Sequence, residues 1–136
     1  MMTNIQNRKW HLIDLKGKTL GRISTEIAKL LIGKDKATFS PNVDDGDYVI
    51  ALNSDEIVTT GTKTLNKKYY RHSGFGGGFR ELNLGEMMEK DSRKVLELSV
   101  KGMLPKNKLQ DPRMNRLKVF KNEIHPYLKH LSNQKV

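Results

Sequence analysis

The chain has 136 residues, the length of one domain with a single hydrophobic core. Its 25 Lys and Arg against 15 Asp and Glu give a formal net charge of +10, an excess typical of proteins that bind polyanions. The absence of cysteine excludes disulfides, thiolate metal sites and a cysteine nucleophile, and no apolar run approaches the ~20 residues that cross a bilayer.

The first half of the chain predicts a strand, a helix and a second strand. Trp10–Asp14 predicts a short strand that Gly17 ends. A helix follows, with Thr19 as N-cap and Gly33 as C-terminal glycine. Its apolar positions recur at helical spacing: Leu20, Ile23, Ile27, Leu30 and Leu31. The apolar run Tyr48–Leu52 is typical of a strand covered on both faces in a parallel sheet, so the three elements predict a βαβ crossover.

An extended segment, Lys68–His72, leads into a loop with four glycines in residues 74–78. Glycines remove side-chain bulk and permit positive φ, so the loop backbone could approach another backbone, such as a polyphosphate strand, closely. Aromatic and cationic residues flank the loop and add stacking surfaces and phosphate donors: Tyr69, Tyr70, Arg71, His72 and Arg80. The alternative is a flexible hairpin tip without a ligand.

The second half continues with helices. Leu84 and Met88 predict a short helix, and Ser92 can cap a longer one that Pro105 ends. Residues 107–117 predict a final helix that Pro112 interrupts, and residues 119–120 predict a brief strand.

Two motifs favour a structural interpretation over a chemical one. Gly17-Lys18-Thr19 matches the end of a P-loop, but Leu12 stands where the first glycine is required, so we expect a turn and a helix cap. The carboxylates of Asp44, Asp45 and Asp47 could bind a hard cation, yet turn formation explains them more simply. No catalytic grouping stands out, and we expect no enzyme activity, no cofactor, no metal and no small-molecule substrate.

The C-terminal third is the strongest candidate for binding a polyanion. It carries three lysines around a Gly and Pro bend, Lys101, Lys106 and Lys108. Further cations follow among apolar residues: Arg113, Arg116, Lys118 and Lys121. The apolar members could anchor the segment while the cations face phosphate. A solvated charged surface is the alternative.

These segments together resemble the large-subunit ribosomal protein thirteen family, in its bacterial or organellar form. The resemblance rests on pieces in family order: residues 17–22, 46–50 with Asn53, 60–63, 72–74 with 77–78 and, above all, 100–107. It implies a three-layer α/β/α domain with a small, mostly parallel sheet and a basic C-terminal extension. It also implies a place on ribosomal RNA near the surface of the large subunit, among neighbouring ribosomal proteins, with a role in assembly.

The residues and the resemblance together predict a single domain over residues 1–136, with an N-terminal arm (1–9), a core (10–120) and a tail (121–136). The predicted RNA contacts are Lys63, Arg71, His72, Gly76, Gly77, Gly78, Lys101, Lys106, Lys108, Arg113, Arg116 and Lys118. The predicted function is that of a structural ribosomal component in the bacterial cytoplasm or an organelle, without contact to a membrane. The alternatives are a free regulator that binds messenger RNA and a nucleotide-dependent enzyme using the Gly17 turn.

Overall fold

A computed structural model describes residues 8–132 of the chain, and its centre is a parallel sheet of three strands. Strand β1 (Trp10–Asp14) is joined to β2 (Tyr48–Leu52) by helix α1 (Leu20–Ile32), and β5 (Leu117–Val119) pairs with the other edge of β2. Trp10 lies opposite Tyr48 in the register of β1 and β2. The predicted α/β class, parallel sheet and βαβ crossover are confirmed.

Helix α1 has the predicted boundaries. Thr19 is extended at the N-cap, with no side-chain cap hydrogen bond, and Gly33 adopts a left-handed conformation at the C-cap. The Gly33 N–H donates to the carbonyl of Lys29, which satisfies one of the carbonyls left free at a helix end. The predicted apolar face of α1 packs in the core, with Ile27 and Leu31 fully buried.

Helix α3 (Leu84–Met103) is broken at Asp91, whose φ of −161° and ψ of 99° are extended. Asn83 and Glu86 form a capping box at its start. The sequence predicts a new helix capped by Ser92; instead the break lies one residue earlier, and the Asp91 carboxylate accepts the N–H of Arg93 at 3.2 Å. Ser92 is buried and bonds to Ser54 at 2.7 Å between the two Oγ atoms.

The two faces of the sheet are covered differently. Helices α1 and α3 pack on each other and on the face that carries Val49, Ala51 and Val119. On the other face, the Trp10 ring stacks on Tyr48, at 4.2 Å between centroids, and on His130 of α5 (Leu128–Ser132), at 4.4 Å. The sheet therefore lies between a helical layer and the C-terminal segment. Residues 1–7 of the predicted arm and 133–136 of the predicted tail lie outside the described residues.

A β-hairpin and two short helices complete the fold. Strands β3 (Lys68–His72) and β4 (Phe79–Asn83) pair antiparallel after the short helix α2 (Lys63–Asn66). Helix α4 (Gln110–Asn115) is shorter than predicted and holds Pro112 in its first turn, where a missing N–H costs no helix hydrogen bond. Within residues 8–132, no helix combines the length and apolarity needed to cross a bilayer.

Candidate nucleic-acid interface

Four cationic side chains meet in a cleft of about 300 Å³ between the hairpin and α3. Arg71 and Arg80 lie directly opposite each other across β3 and β4, and Lys90 and Lys94 line the cleft from α3. Like charges directly opposite in a sheet are destabilising. None of the four has an ion-pair partner among the described residues. The cleft thus concentrates positive charge that no ion pair within residues 8–132 neutralises.

This cleft opens into a longer depression along α3. A central hollow of about 640 Å³ shares Arg71, Met87 and Lys94 with the cleft, and a third hollow shares Leu98 and Lys101 with the central one and extends to Lys106. Intervals of four and three residues place Lys94, Leu98 and Lys101 on one helix face. We call the continuous depression the α3 trough.

Negative charge is sparse in the trough. Six Lys or Arg side chains line it, against only Glu97 and Asp111 among the described acids. Burial raises the pKa of Glu97, and the nearby charge of Asp91 adds to the rise. The trough therefore has the charge distribution of a polyanion-binding groove.

The glycine loop at the hairpin tip is held in a defined conformation. A Cβ on Gly78 would overlap with Oγ of Ser73, so a larger residue there requires the Ser73 side chain to move. Gly77 has a φ of +75°, which L side chains rarely adopt. The Gly74 N–H donates to Nδ1 of His72 at 2.9 Å, which orients the imidazole beside the cleft.

The structure brings part of the predicted contact set together. Five members line the trough: Arg71, His72, Gly78, Lys101 and Lys106. Others are exposed outside its lining: Lys63 on α2, Gly76 and Gly77 in the loop, and Lys108. Lys118 alternates with the buried Leu117 and Val119, so it lies on the sheet face opposite α1 and α3.

Arg113 and Arg116 do not fit the predicted role, because the structure buries both. Their exposed fractions are 1% and 3%. Arg116 donates two hydrogen bonds of 2.6 Å to the carboxylate of Asp44, and Nε of Arg113 lies 3.8 Å from the same carboxylate. These guanidinium groups connect α4 to the turn before β2 and cannot face a phosphate at the surface.

The carboxylates of Asp44, Asp45 and Asp47, in the connection before β2, form ion pairs within the protein. Besides Arg116, Asp44 pairs with Arg8 at 3.5 Å. Asp47 accepts from Nζ of Lys36 at 2.7 Å and lies 2.9 Å from Nε2 of His11. The structure thus gives these carboxylates protein partners within the fold, and the described residues contain no group of three metal-ligating side chains.

Three cationic residues of the trough are missing from the predicted contact set: Arg80, Lys90 and Lys94. Arg80 follows the glycine loop, and its pairing with Arg71 depends on β4, a strand that the sequence pattern does not predict. Lys94 could have been found from its spacing to Lys101 on a helix whose apolar positions, such as Val95 and Leu96, are buried.

Comparisons with known proteins identify the family of this chain. A family model described as Ribosomal protein L13 matches residues 8–126. Large ribosomal subunit protein uL13 of Staphylococcus carnosus (strain TM300) is 47% identical over 125 residues, covering 92% of this chain and 86% of that protein. Those of Syntrophotalea carbinolica and Clostridioides difficile (strain 630) are 48% and 50% identical over 120 and 121 residues, each covering 88% of this chain and 84% of the relative. The chain therefore belongs to the ribosomal protein L13 family.

Proposed function

We propose that this chain is a structural constituent of the large ribosomal subunit and that it binds ribosomal RNA along the α3 trough. The single observation that carries the proposal is the row of six cationic side chains, none ion-paired within residues 8–132, that lines this trough. The relatives support it, because their names place them in the large subunit.

The proposed mechanism is charge neutralisation. Each Lys or Arg that meets a phosphate releases condensed counterions, which favours binding and allows RNA segments to pack against the protein. Gly76 and Gly77 are exposed and carry no side chain, so an RNA backbone can come close to their main chain. No bond-making step is needed for this role.

The proposed contact set follows from the positions of the cations. It includes the predicted trough residues together with Arg80, Lys90 and Lys94. Lys63, Lys108 and Lys118 stay proposed as contacts outside the trough, whereas Arg113 and Arg116 are left out because they are buried.

A charge-removal variant tests the trough. Replacing Lys94, Lys101 and Lys106 by Gln should weaken binding to ribosomal RNA and reduce the slope of log K against log salt by about two to three, since each phosphate contact contributes ~0.7–0.9. The matched control removes three exposed lysines outside the trough, through Lys16→Gln, Lys29→Gln and Lys34→Gln. An unchanged slope in the trough variant, or an equal loss in the control, would contradict the proposal.

Two other functions have distinguishing tests. A free regulator of messenger RNA would separate from ribosomes, whereas a constituent should sediment with large subunits after a moderate salt wash. A nucleotide-dependent enzyme would need a glycine-rich loop before Gly17, but Leu12 is in the middle of β1. ATP turnover abolished by Lys18→Ala would favour the enzyme.

A further inference from the structure

The hairpin has a second face, turned away from α3, that carries an exposed aromatic pair. Side chains alternate along a strand, so Tyr70 lies on the face opposite Tyr69 and Arg71. The rings of Tyr70 and Phe79 stack at 5.8 Å between centroids with an interplanar angle of 26°. Their exposed fractions are 62% and 57%. The outer face of the hairpin thus presents two stacked aromatic rings to solvent.

Charge on this outer face is balanced. Lys68 and Glu81 form an ion pair of 2.6 Å beside the aromatic pair, so neither presents an unpaired charge. Tyr70 also borders the central hollow of the α3 trough, where Arg71 and Lys94 lie. Tyr70 is therefore next to unpaired cations, and an occupant that reaches both the aromatic pair and these cations must combine negative charge with a flat, stacking surface.

We propose that the Tyr70–Phe79 pair stacks an unpaired nucleobase of the RNA whose phosphates lie in the α3 trough. The proposal rests on the proposed function and names the RNA structure that this site takes. Phosphates match the uncompensated cations on the inner side of the hairpin, and the nucleobase is the flat group attached to the same strand. An apolar protein surface would match the rings but leave the neighbouring cations without partners.

The proposal restricts the RNA to a strand with an unpaired base, such as a bulge or a loop. In a continuous A-form duplex the bases are stacked on one another and cannot lie against a protein side chain. The cations recognise the backbone in either case, so the aromatic pair adds selectivity for unpaired nucleotides to a binding energy that is mainly electrostatic.

The test compares three RNA stems: one with a single bulged nucleotide, the same stem with an abasic bulge, and an uninterrupted duplex. The full-length protein should bind the bulged stem about tenfold more tightly than the abasic stem, within the range found for base–aromatic stacking. The double variant Tyr70→Leu, Phe79→Leu keeps an apolar cross-strand pair in the hairpin, and it should lose this preference without a change in salt slope.

Two further variants separate stacking from other effects. The aromatic exchange Tyr70→Phe, Phe79→Tyr should keep the preference for the bulged base. The control Leu65→Ala alters an apolar residue, 71% exposed, on α2, and should also keep it.

Three results would overturn the inference. They are equal binding of the bulged and abasic stems by the unmodified protein, a preserved preference in the leucine variant, and release of the leucine variant from washed large subunits despite unchanged binding to all three RNAs. The last would assign this face to a protein neighbour. Failure of the proposed function looks different, because then none of the three stems would show salt-dependent binding.

Discussion

Replacement of Asp44 by Asn tests the buried ion cluster that connects the turn before β2 to α4. Asn has nearly the same volume and keeps one acceptor oxygen, so the main change is the loss of negative charge. The two buried guanidinium groups, of Arg113 and Arg116, then have no counter-charge in contact. None of the three guanidinium nitrogens of Arg113 has a hydrogen-bond partner among the described residues, so the charge of this group is balanced by the nearby carboxylate of Asp44.

The expected loss follows from the cost of leaving a buried charge without its partner, about 3–5 kcal/mol of unfolding free energy. For a chain of this length, 1 kcal/mol corresponds to about 3–5 °C in Tm, so Asp44→Asn should lower Tm by about 10–25 °C. The matched control is Asp45→Asn. The ion pair of Asp45 with Lys36 is longer, at 3.7 Å, and partly exposed, so this substitution should lower the free energy of unfolding by less than about 1 kcal/mol.

The measurement is urea unfolding followed by circular dichroism, at pH 7 and again near pH 3. Burial would raise the pKa of Asp44, but the hydrogen bonds from Arg116 and the surrounding guanidinium charges outweigh it and hold the pKa below its ordinary value of 3.8. A depressed carboxyl pKa contributes stability above the unfolded pKa, and this contribution is lost as pH falls through the folded pKa. The gap between Asp44→Asn and the unmodified protein should therefore narrow in acid.

Two outcomes would refute this reasoning about Asp44. One is a loss at pH 7 no larger than that of the Asp45 control, and the other is a gap between the two proteins that stays constant down to pH 3.

Substitutions at three other places give further expectations. Gly46→Ala should destabilise the protein by several kcal/mol or prevent folding, because the added Cβ would overlap with the carbonyl oxygen of Leu31. Thermal unfolding measures the loss of stability, and an unchanged Tm would contradict the close packing of Gly46 against Leu31. Glu97→Gln should raise RNA affinity by about two- to fivefold at low salt, since it removes one of two acidic groups from the trough, with the gain shrinking at high salt in a filter-binding titration. Gly77→Ala should lower the free energy of unfolding by about 1 kcal/mol, because Gly77 has a positive φ. Gly76→Ala should lower it by less, because there is open space around the Cβ position of Gly76. Equal Tm values for the two variants would show that the loop conformation is not fixed.

The βαβ unit could be predicted because its signals are local. The apolar spacing of α1, the left-handed Gly33 after it and the continuous apolar run of β2 each depend on neighbouring residues only. Strand β4 could not be predicted in the same way. Its sequence, Phe-Arg-Glu-Leu-Asn, is poor in strand formers, and it is extended because it pairs with β3.

The predicted RNA contacts show that local sequence signals also fail to place single side chains. A basic run has the same appearance in sequence whether its members face solvent or a carboxylate far along the chain. Arg116 finds its partner 72 residues away, in Asp44. Asp44 lies in the irregular connection before β2, and nothing local indicates that its carboxylate is buried against Arg116. Long-range pairing therefore decides which cations are free to bind RNA.

The stacking of the Trp10 ring on Tyr48 and His130 gives this protein an internal optical probe. Trp10 is the single tryptophan in the sequence, so its emission comes from one place: the contact between the first strand and the last described helix. Detachment of the C-terminal segment would change that emission while far-ultraviolet circular dichroism still recorded an intact sheet. Fluorescence can thus distinguish undocking of the chain end from loss of the whole fold, with no label attached.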